Sequence, residues 1–152
     1  MNYIHVGVVL FLILGVATYT DLRWRIIPDK LVFVSLVYFL VLRLWYADQP
    51  YYSYLLGMIA GTGILYVCAL IRPGSFGGGD IKLLAVVGVA IGWQESLLFL
   101  CLLLGIAGMF SLIVLLIRKN WTMKIPLAPF FLISQTLLFV MKMGWLESWI
   151  NI

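Results

Sequence analysis

Two short stretches of this chain hold carboxylates in settings that suit chemistry. One reads Thr20-Asp21-Leu22-Arg23-Trp24-Arg25-Ile26-Ile27-Pro28-Asp29. The other reads Ser75-Phe76-Gly77-Gly78-Gly79-Asp80-Ile81-Lys82-Leu83. If folding brings Asp21 and Asp80 together, both cannot ionise easily. One pKa then rises, the other falls, and the pair shares a proton. The ionised member can take a proton from water while the protonated member polarises a peptide carbonyl, as in aspartic proteases. This chemistry needs no metal and no cofactor. No other set of residues competes with it. Ser and Thr residues lack a His or Lys partner on the right face. Cys68 and Cys101 lie inside apolar runs without Cys-x-x-Cys spacing, and the single histidine, His5, is far away at the N-terminus. Neither a zinc site nor a redox motif is expected.

Each of these residues also has a plain structural reading. Asp80 after a glycine turn suits a helix cap. Asp21 beside Arg23 and Arg25 can be a charge-balanced acid at a membrane edge. Asp29, after Pro28 and before an apolar run, reads as the cap of the next helix. Lys82 is two residues beyond Asp80 and so on a different helical face. It reads as a side chain snorkelling to lipid headgroups, since a close ammonium would hold Asp80 ionised. The three glycines remove bulk on the approach to Asp80 and permit positive φ, so that a peptide backbone can come near. Loop backbone at such a place must be buried in protein or face water. A water-accessible cavity is expected there.

The elements that position these acids follow from composition. Of 152 residues, 64% are hydrophobic and 11% charged, and the mean hydropathy is +1.13. A soluble domain averages roughly 45–50% and about 25%. Disorder, a collagen-like fibre and a disulfide-stapled miniprotein are excluded, and lipid is the expected solvent. The net charge of +4 does not indicate nucleic acid, because the ten Lys and Arg form no basic run and sit between apolar stretches. Those stretches cover about 3–20, 31–46, 52–71, 81–93, 96–117 and 126–143. They predict an all-α, polytopic membrane bundle of six transmembrane helices, forming a single domain over residues 1–152. The first lacks the basic start and small-residue exit of a cleaved signal peptide. The fourth reaches only about 20 Å of the roughly 30 Å needed. It is re-entrant, begins inside the glycine run, or lies where the bilayer thins. Pro126 and Pro129 fit the first turn of the sixth helix.

Eight of the ten basic residues fall in or just past loops 1–2, 3–4 and 5–6: Arg23, Arg25 and Lys30, then Arg72 with Lys82 just beyond its loop, then Arg118, Lys119 and Lys124. The positive-inside rule puts these loops in the cytosol and both termini outside, in a multi-pass plasma (inner) membrane protein. Arg43 and Lys142 lie near the other side. Asp21, Asp29 and Asp80 are then inside, and Asp48, Glu95 and Glu147 outside. Cys68 and Cys101 fall near opposite ends of their helices, too far apart for a disulfide, and are expected to be free thiols that pack. Gly57-xxx-Gly61 and Gly88-xxx-Gly92 fit close helix packing. Trp145, Leu146, Trp149 and Ile150 are spaced as one face of a short interfacial helix.

These residues resemble the type IV prepilin peptidases. Asp21-Leu22-Arg23-x-Arg25-x-Ile27-Pro28 is similar to their D-L-[KR]-x-[KR]-x-I-P segment, and Gly77-Gly78-Gly79-Asp80-Ile81-Lys82-Leu83 to their G-x-G-D-x-K-L segment. Ile125-Pro126-Leu127-Ala128-Pro129-Phe130 is similar to the I-P-[FL]-[GA]-P-F stretch that opens their last helix. The resemblance implies a membrane aspartic endopeptidase of the GxGD kind, a logic shared with the presenilin-like proteases. It would remove the basic leader of prepilins or pseudopilins, whose hydrophobic helix stays in the membrane, at the cytosolic face. Asp21 and Asp80 would be the catalytic pair, supported by the motif residues Gly77, Gly79, Lys82, Arg23, Arg25 and Pro28. Longer members carry an N-terminal segment, often with Cys-x-x-Cys zinc motifs, and methylate the new N-terminus with S-adenosylmethionine. This sequence opens on its first helix, so cleavage without methylation and without zinc is expected, as in the peptidases of tight-adherence (Flp) pilus systems. Two other classes remain. A small proton-coupled transporter would place acids nearer mid-bilayer and show duplicated helices. A non-enzymatic assembly subunit would not need Asp21 or Asp80.

Overall fold

The computed structural model describes residues 2–72, 76–118, 126–142 and 144. Among them are six helices and no strand: α1 (Asn2–Trp24), α2 (Asp29–Trp45), α3 (Tyr51–Ile71), α4 (Gly78–Ile91), α5 (Trp93–Arg118) and α6 (Ala128–Lys142). The all-α bundle matches expectation. Ile4–Trp24, Tyr51–Ile71 and Trp93–Ile117 are long and apolar enough to cross a membrane, and Ala128–Lys142 is a shorter apolar helix. Large apolar side chains are exposed on every long helix, among them Leu12, Phe33, Ile59, Leu112 and Leu116. Such a surface suits lipid rather than water.

The short fourth helix is the pillar of the bundle. It packs against α3, α2, α5 and α1, and Leu83, Leu84 and Val86 through Ile91 are all buried. A helix apolar on every side belongs in a core. Of the three arrangements left open for it, the observed one begins inside the glycine run, at Gly78. Its 14 residues still span only about 21 Å.

In lipid the hydrophobic effect does not draw helices together, so close packing and interhelical hydrogen bonds must do so. The α3–α4 seam shows how. A Cβ on Gly57 would lie 2.5 Å from Gly88 O, and one on Gly88 would lie 2.7 Å from Met58 N. Backbone therefore touches backbone. A Cβ on Gly61 would meet Ser96 Oγ at 3.0 Å. Gly92 packs closely as expected, its carbonyl carbon 2.8 Å from where a Cβ on Gly57 would lie, and it has a second role as well. Its φ of +88° lets one residue join α4 to α5, and a Cβ there would meet Gln49 Oε1 at 2.7 Å.

Arg43, expected only as a charge near the outer side, is 2% exposed. It closes the C-terminal end of α4, donating from Nε to Ala90 O at 3.2 Å and from Nη1 to Asp48 Oδ2 at 3.2 Å. Its guanidinium carbon lies 4.5 Å from the centre of the Tyr54 ring. The Tyr54 hydroxyl accepts the Asp48 and Gln49 amides at 3.1 and 3.0 Å. This arrangement meets the need of a helix C-terminus for donors and positive charge. Glu95 and Lys142 pair at the same end. Cys68 and Cys101 are free, as expected, but Cys101 is exposed and does not pack inside the bundle. The expected tail helix and Glu147 lie outside the described residues, as do Ser75, Lys119, Lys124 and Ile125.

Gly57→Ala should lower the melting temperature of the detergent-purified protein, at a cost of about 1–3 kcal/mol for forcing α3 off α4. Gly63→Ala, whose Cβ would meet nothing within 4 Å, should not lower it. Thermal unfolding of both variants checks this.

Candidate functional site

Asp21 stands three residues before the end of α1, and Asp80 in the first turn of α4. Both line one cleft of about 230 Å3, together with Asp29, residues 25–27 and residues 77–79. Their carboxylates are near enough to interact through charge. Both side chains are partly exposed. Among the described residues, none of the ion pairs involves either acid.

Three local devices set the geometry. The first holds Asp80. Gly77 is extended at φ −74° and ψ 144° and precedes α4 as its N-cap. Its amide donates to Asp80 Oδ2 at 3.1 Å. Asp80 is thus the third residue of the helix rather than its cap, and it satisfies one of the helix's unpaired terminal amides. A Cβ on Gly77 would press on Asp80 Oδ2 at 3.0 Å.

The second device brings α4 to the α1–α2 loop. A Cβ on Gly79 would lie 3.0 Å from Ile27 Cβ, whereas one on Gly78 would meet nothing within 4 Å. Gly77 and Gly79 are therefore the constrained members of the run. The expected positive φ is absent: the described glycines with positive φ are Gly92 and Gly144. The run works through small size alone. Where φ does turn positive is Arg25, at +54°, where α1 ends. The Arg25 amide donates to Asp21 O at 2.8 Å, and the chain then reverses into Pro28, the extended N-cap of α2 at φ −64°.

The third device holds Asp21. Its Oδ2 accepts the amide of Ala128 at 3.2 Å. Ala128 is the first residue of α6, so this amide has no partner within its own helix. Thr18 Oγ1 lies 3.0 Å from Ala128 O and 2.7 Å from Leu14 O, and fastens the same residue from the other side. The Pro-Leu-Ala-Pro stretch thus does more than start a helix. It supplies a backbone partner for Asp21, which residue types alone did not reveal. Its position among the three motif segments was the available signal.

Other expectations change. Asp29 makes no side-chain cap on α2. Its Oδ1 instead takes Lys82 Nζ at 2.7 Å, so Lys82 is not merely reaching for headgroups. Arg23 stands outside the cleft lining. It donates to Tyr19 Oη at 3.1 Å and lies 5.4 Å from the centre of the Trp24 ring. Asp21 is therefore not balanced by an ion pair with Arg23 or Arg25. Among the described residues, no three His, Cys, Asp or Glu side chains are grouped to hold a metal ion.

The family model described as type IV leader peptidase family matches residues 8–117, a span that contains both acids. A prepilin leader peptidase/N-methyltransferase of Bacillus subtilis (strain 168) is 37% identical over 86 residues, covering 57% of this chain and 35% of that protein. One of Aeromonas salmonicida (strain A449) is 29% identical over 128 residues, covering 80% of this chain and 44% of that protein. The chain thus spans less than half the length of these curated relatives. No solved structure matches it.

The glycine geometry makes a prediction. Gly79→Ala should destabilise the purified protein by about 1 kcal/mol or more, because Ile27 must shift to admit the methyl group. Gly78→Ala should leave the melting temperature unchanged or slightly higher. Paired melting curves decide.

Proposed function

The chain belongs to the type IV leader peptidase family, and from this we infer that it is an intramembrane aspartic endopeptidase. Its proposed substrates are prepilins or pseudopilins, from which it removes the basic leader. Asp21 and Asp80 are the proposed catalytic pair. The supporting observation is that two carboxylates, one from each motif stretch, line one cleft and that, among the described residues, neither is spent in an ion pair.

The pair holds one proton. The ionised carboxylate takes a proton from a water molecule as its oxygen attacks the scissile carbonyl carbon. The protonated carboxylate donates to the carbonyl oxygen and stabilises the charge that develops there. Collapse of the tetrahedral intermediate breaks the C–N bond, and a proton passes to the leaving amine. One water is consumed, and the proton inventory of the pair is restored. The scheme works with the starting proton on either acid.

The fixed parts of the cleft suit this task. The Gly77 and Ala128 amides hold the two carboxylates by one oxygen each, which leaves the other for water or substrate. The small residues 77–79 leave room for an extended backbone. The hydrophobic helix of the substrate stays in the bilayer beside the bundle. That tether holds the scissile bond at constant depth and lowers the entropic cost of alignment. In the proposed orientation the acid end faces the cytosol, and the residues described here act as one peptidase unit in the inner membrane.

The test is incubation of the detergent-purified protein with a prepilin-like peptide, read by product mass. Wild type should release the leader. Asp21→Asn and Asp80→Asn should each lower the rate by at least about 100-fold, the scale of acid–base catalysis, with melting temperatures near wild type. Equal cleavage by all three proteins would remove the acids from the mechanism. No cleavage by folded wild type across several prepilins would favour an assembly subunit.

A further inference from the structure

The cleft holds a third carboxylate that the proposed chemistry leaves unused. Asp29 is the first residue of α2 and lines the cleft beside Asp21 and Asp80. Its Oδ1 meets the ammonium of Lys82 at 2.7 Å. The partners are 53 residues apart. The bond therefore joins α4, which carries Asp80, to the start of α2, which follows the Asp21 helix, and does not link two turns of one helix. Pro28 provides the N-cap of α2 without any side-chain bond, so the Asp29 carboxylate has no local capping duty.

The pair's position on α4 gives it a purpose. Lys82 is two residues past Asp80, about 200° around the helix. Asp80 faces the cleft, and Lys82 reaches from another face to the start of α2. Between them, Gly79 rests on Ile27 in the same α1–α2 loop. A hydrophobic contact alone lets a helix roll or slide on its neighbour. A contact at one point with an ion pair to its side resists both movements.

We propose that the Asp29–Lys82 ion pair is a positioning clasp, which sets the rotation of the first turn of α4 against the α1–α2 loop and thereby the distance between Asp80 and Asp21. Neither residue touches the reacting atoms in this account. They act through the placement of Asp80. The inference rests on the peptidase reading for its kinetic consequence, but the clasp also has a structural one. When it is broken, the first turn of α4 opens more often to solvent.

The test uses Asp29→Ala, Lys82→Ala and the exchanged pair Asp29→Lys with Lys82→Asp, in the full chain in lipid nanodiscs. Two readouts are taken: cleavage of a prepilin-like peptide with a basic leader, and hydrogen–deuterium exchange of the amides of residues 77–83. Both partners are largely exposed, so the pair is a modest one. Each single variant should lower kcat about 2- to 5-fold, with KM nearly unchanged and faster exchange in the first turn. The exchanged pair should recover part of both effects. A lysine at the start of α2 opposes the helix dipole, so recovery falls short of complete.

Single variants with wild-type kcat and wild-type exchange would overturn the clasp. So would an exchanged pair worse than either single variant in both readouts. If Asp29→Ala instead raises KM for a basic leader and leaves KM for a neutral leader unchanged, Asp29 reads substrate charge and the clasp is again overturned. A wild type that fails to cleave, while exchange still follows the charge pattern, would sink the peptidase reading but keep the clasp.

Discussion

How near the first turn of α4 can come to the loop between α1 and α2 decides the geometry of the acid end. The approach is so close that no side-chain carbon fits at Gly79 without displacing Ile27. From that contact follow the shared cleft and the reach of Lys82 to Asp29. The same helix is held further along by a second close approach, Gly57 against Gly88. Lipid supplies no hydrophobic drive for either contact. Small size is what permits them, and dispersion over the touching backbones is what rewards them. α4 is thus short because it is a core element wedged among longer helices, with its ends inside the protein's own polar fittings.

Those fittings answer the second constraint, that backbone groups at helix ends need partners where water is scarce. At the acid end the free amide of Ala128 is given to Asp21, and the amide of Gly77 to Asp80. At the far end the Ala90 carbonyl is given to Arg43. One economy serves both ends: groups that the helices would otherwise leave unpaired hold the side chains that matter. At the acid end this orients two carboxylates that, among the described residues, enter no ion pair.

Much of this was legible in the sequence. The apolar segments fixed the helix count and, through their alternation, the placement of Asp21 and Asp80 at one end. The glycine spacings pointed to close seams. Less legible was anything that depends on a partner far along the chain. Arg43 has the charge and position of an orientation signal, and only its contact 47 residues away at Ala90 shows it to be a buried fastener. Asp29 follows a proline as a capping acid would, yet its bond runs to Lys82. Gly92 completes a four-residue glycine spacing and packs on Gly57 as that spacing suggests, but its φ of +88° also makes it a turn, which the spacing does not report. Ala128 carries no chemistry in its side chain, so only the fold could reveal its amide as a partner of Asp21. Periodicity reports which face is apolar and which residues are charged. It does not report which backbone group a side chain will find.

Everything proposed for the acid end requires the three motif segments to meet so that Asp21 and Asp80 share one cleft. The most direct measurement is cross-linking in native membranes of a doubly substituted chain, Asp21→Cys with Asp80→Cys, after Cys68→Ser and Cys101→Ser remove the native thiols. A short thiol-to-thiol reagent should join the two positions in high yield, and substitution of Gly79 by a bulky residue should reduce it. Failure to cross-link in a folded protein, under conditions in which Asp29→Cys and Lys82→Cys do join, would contradict the account.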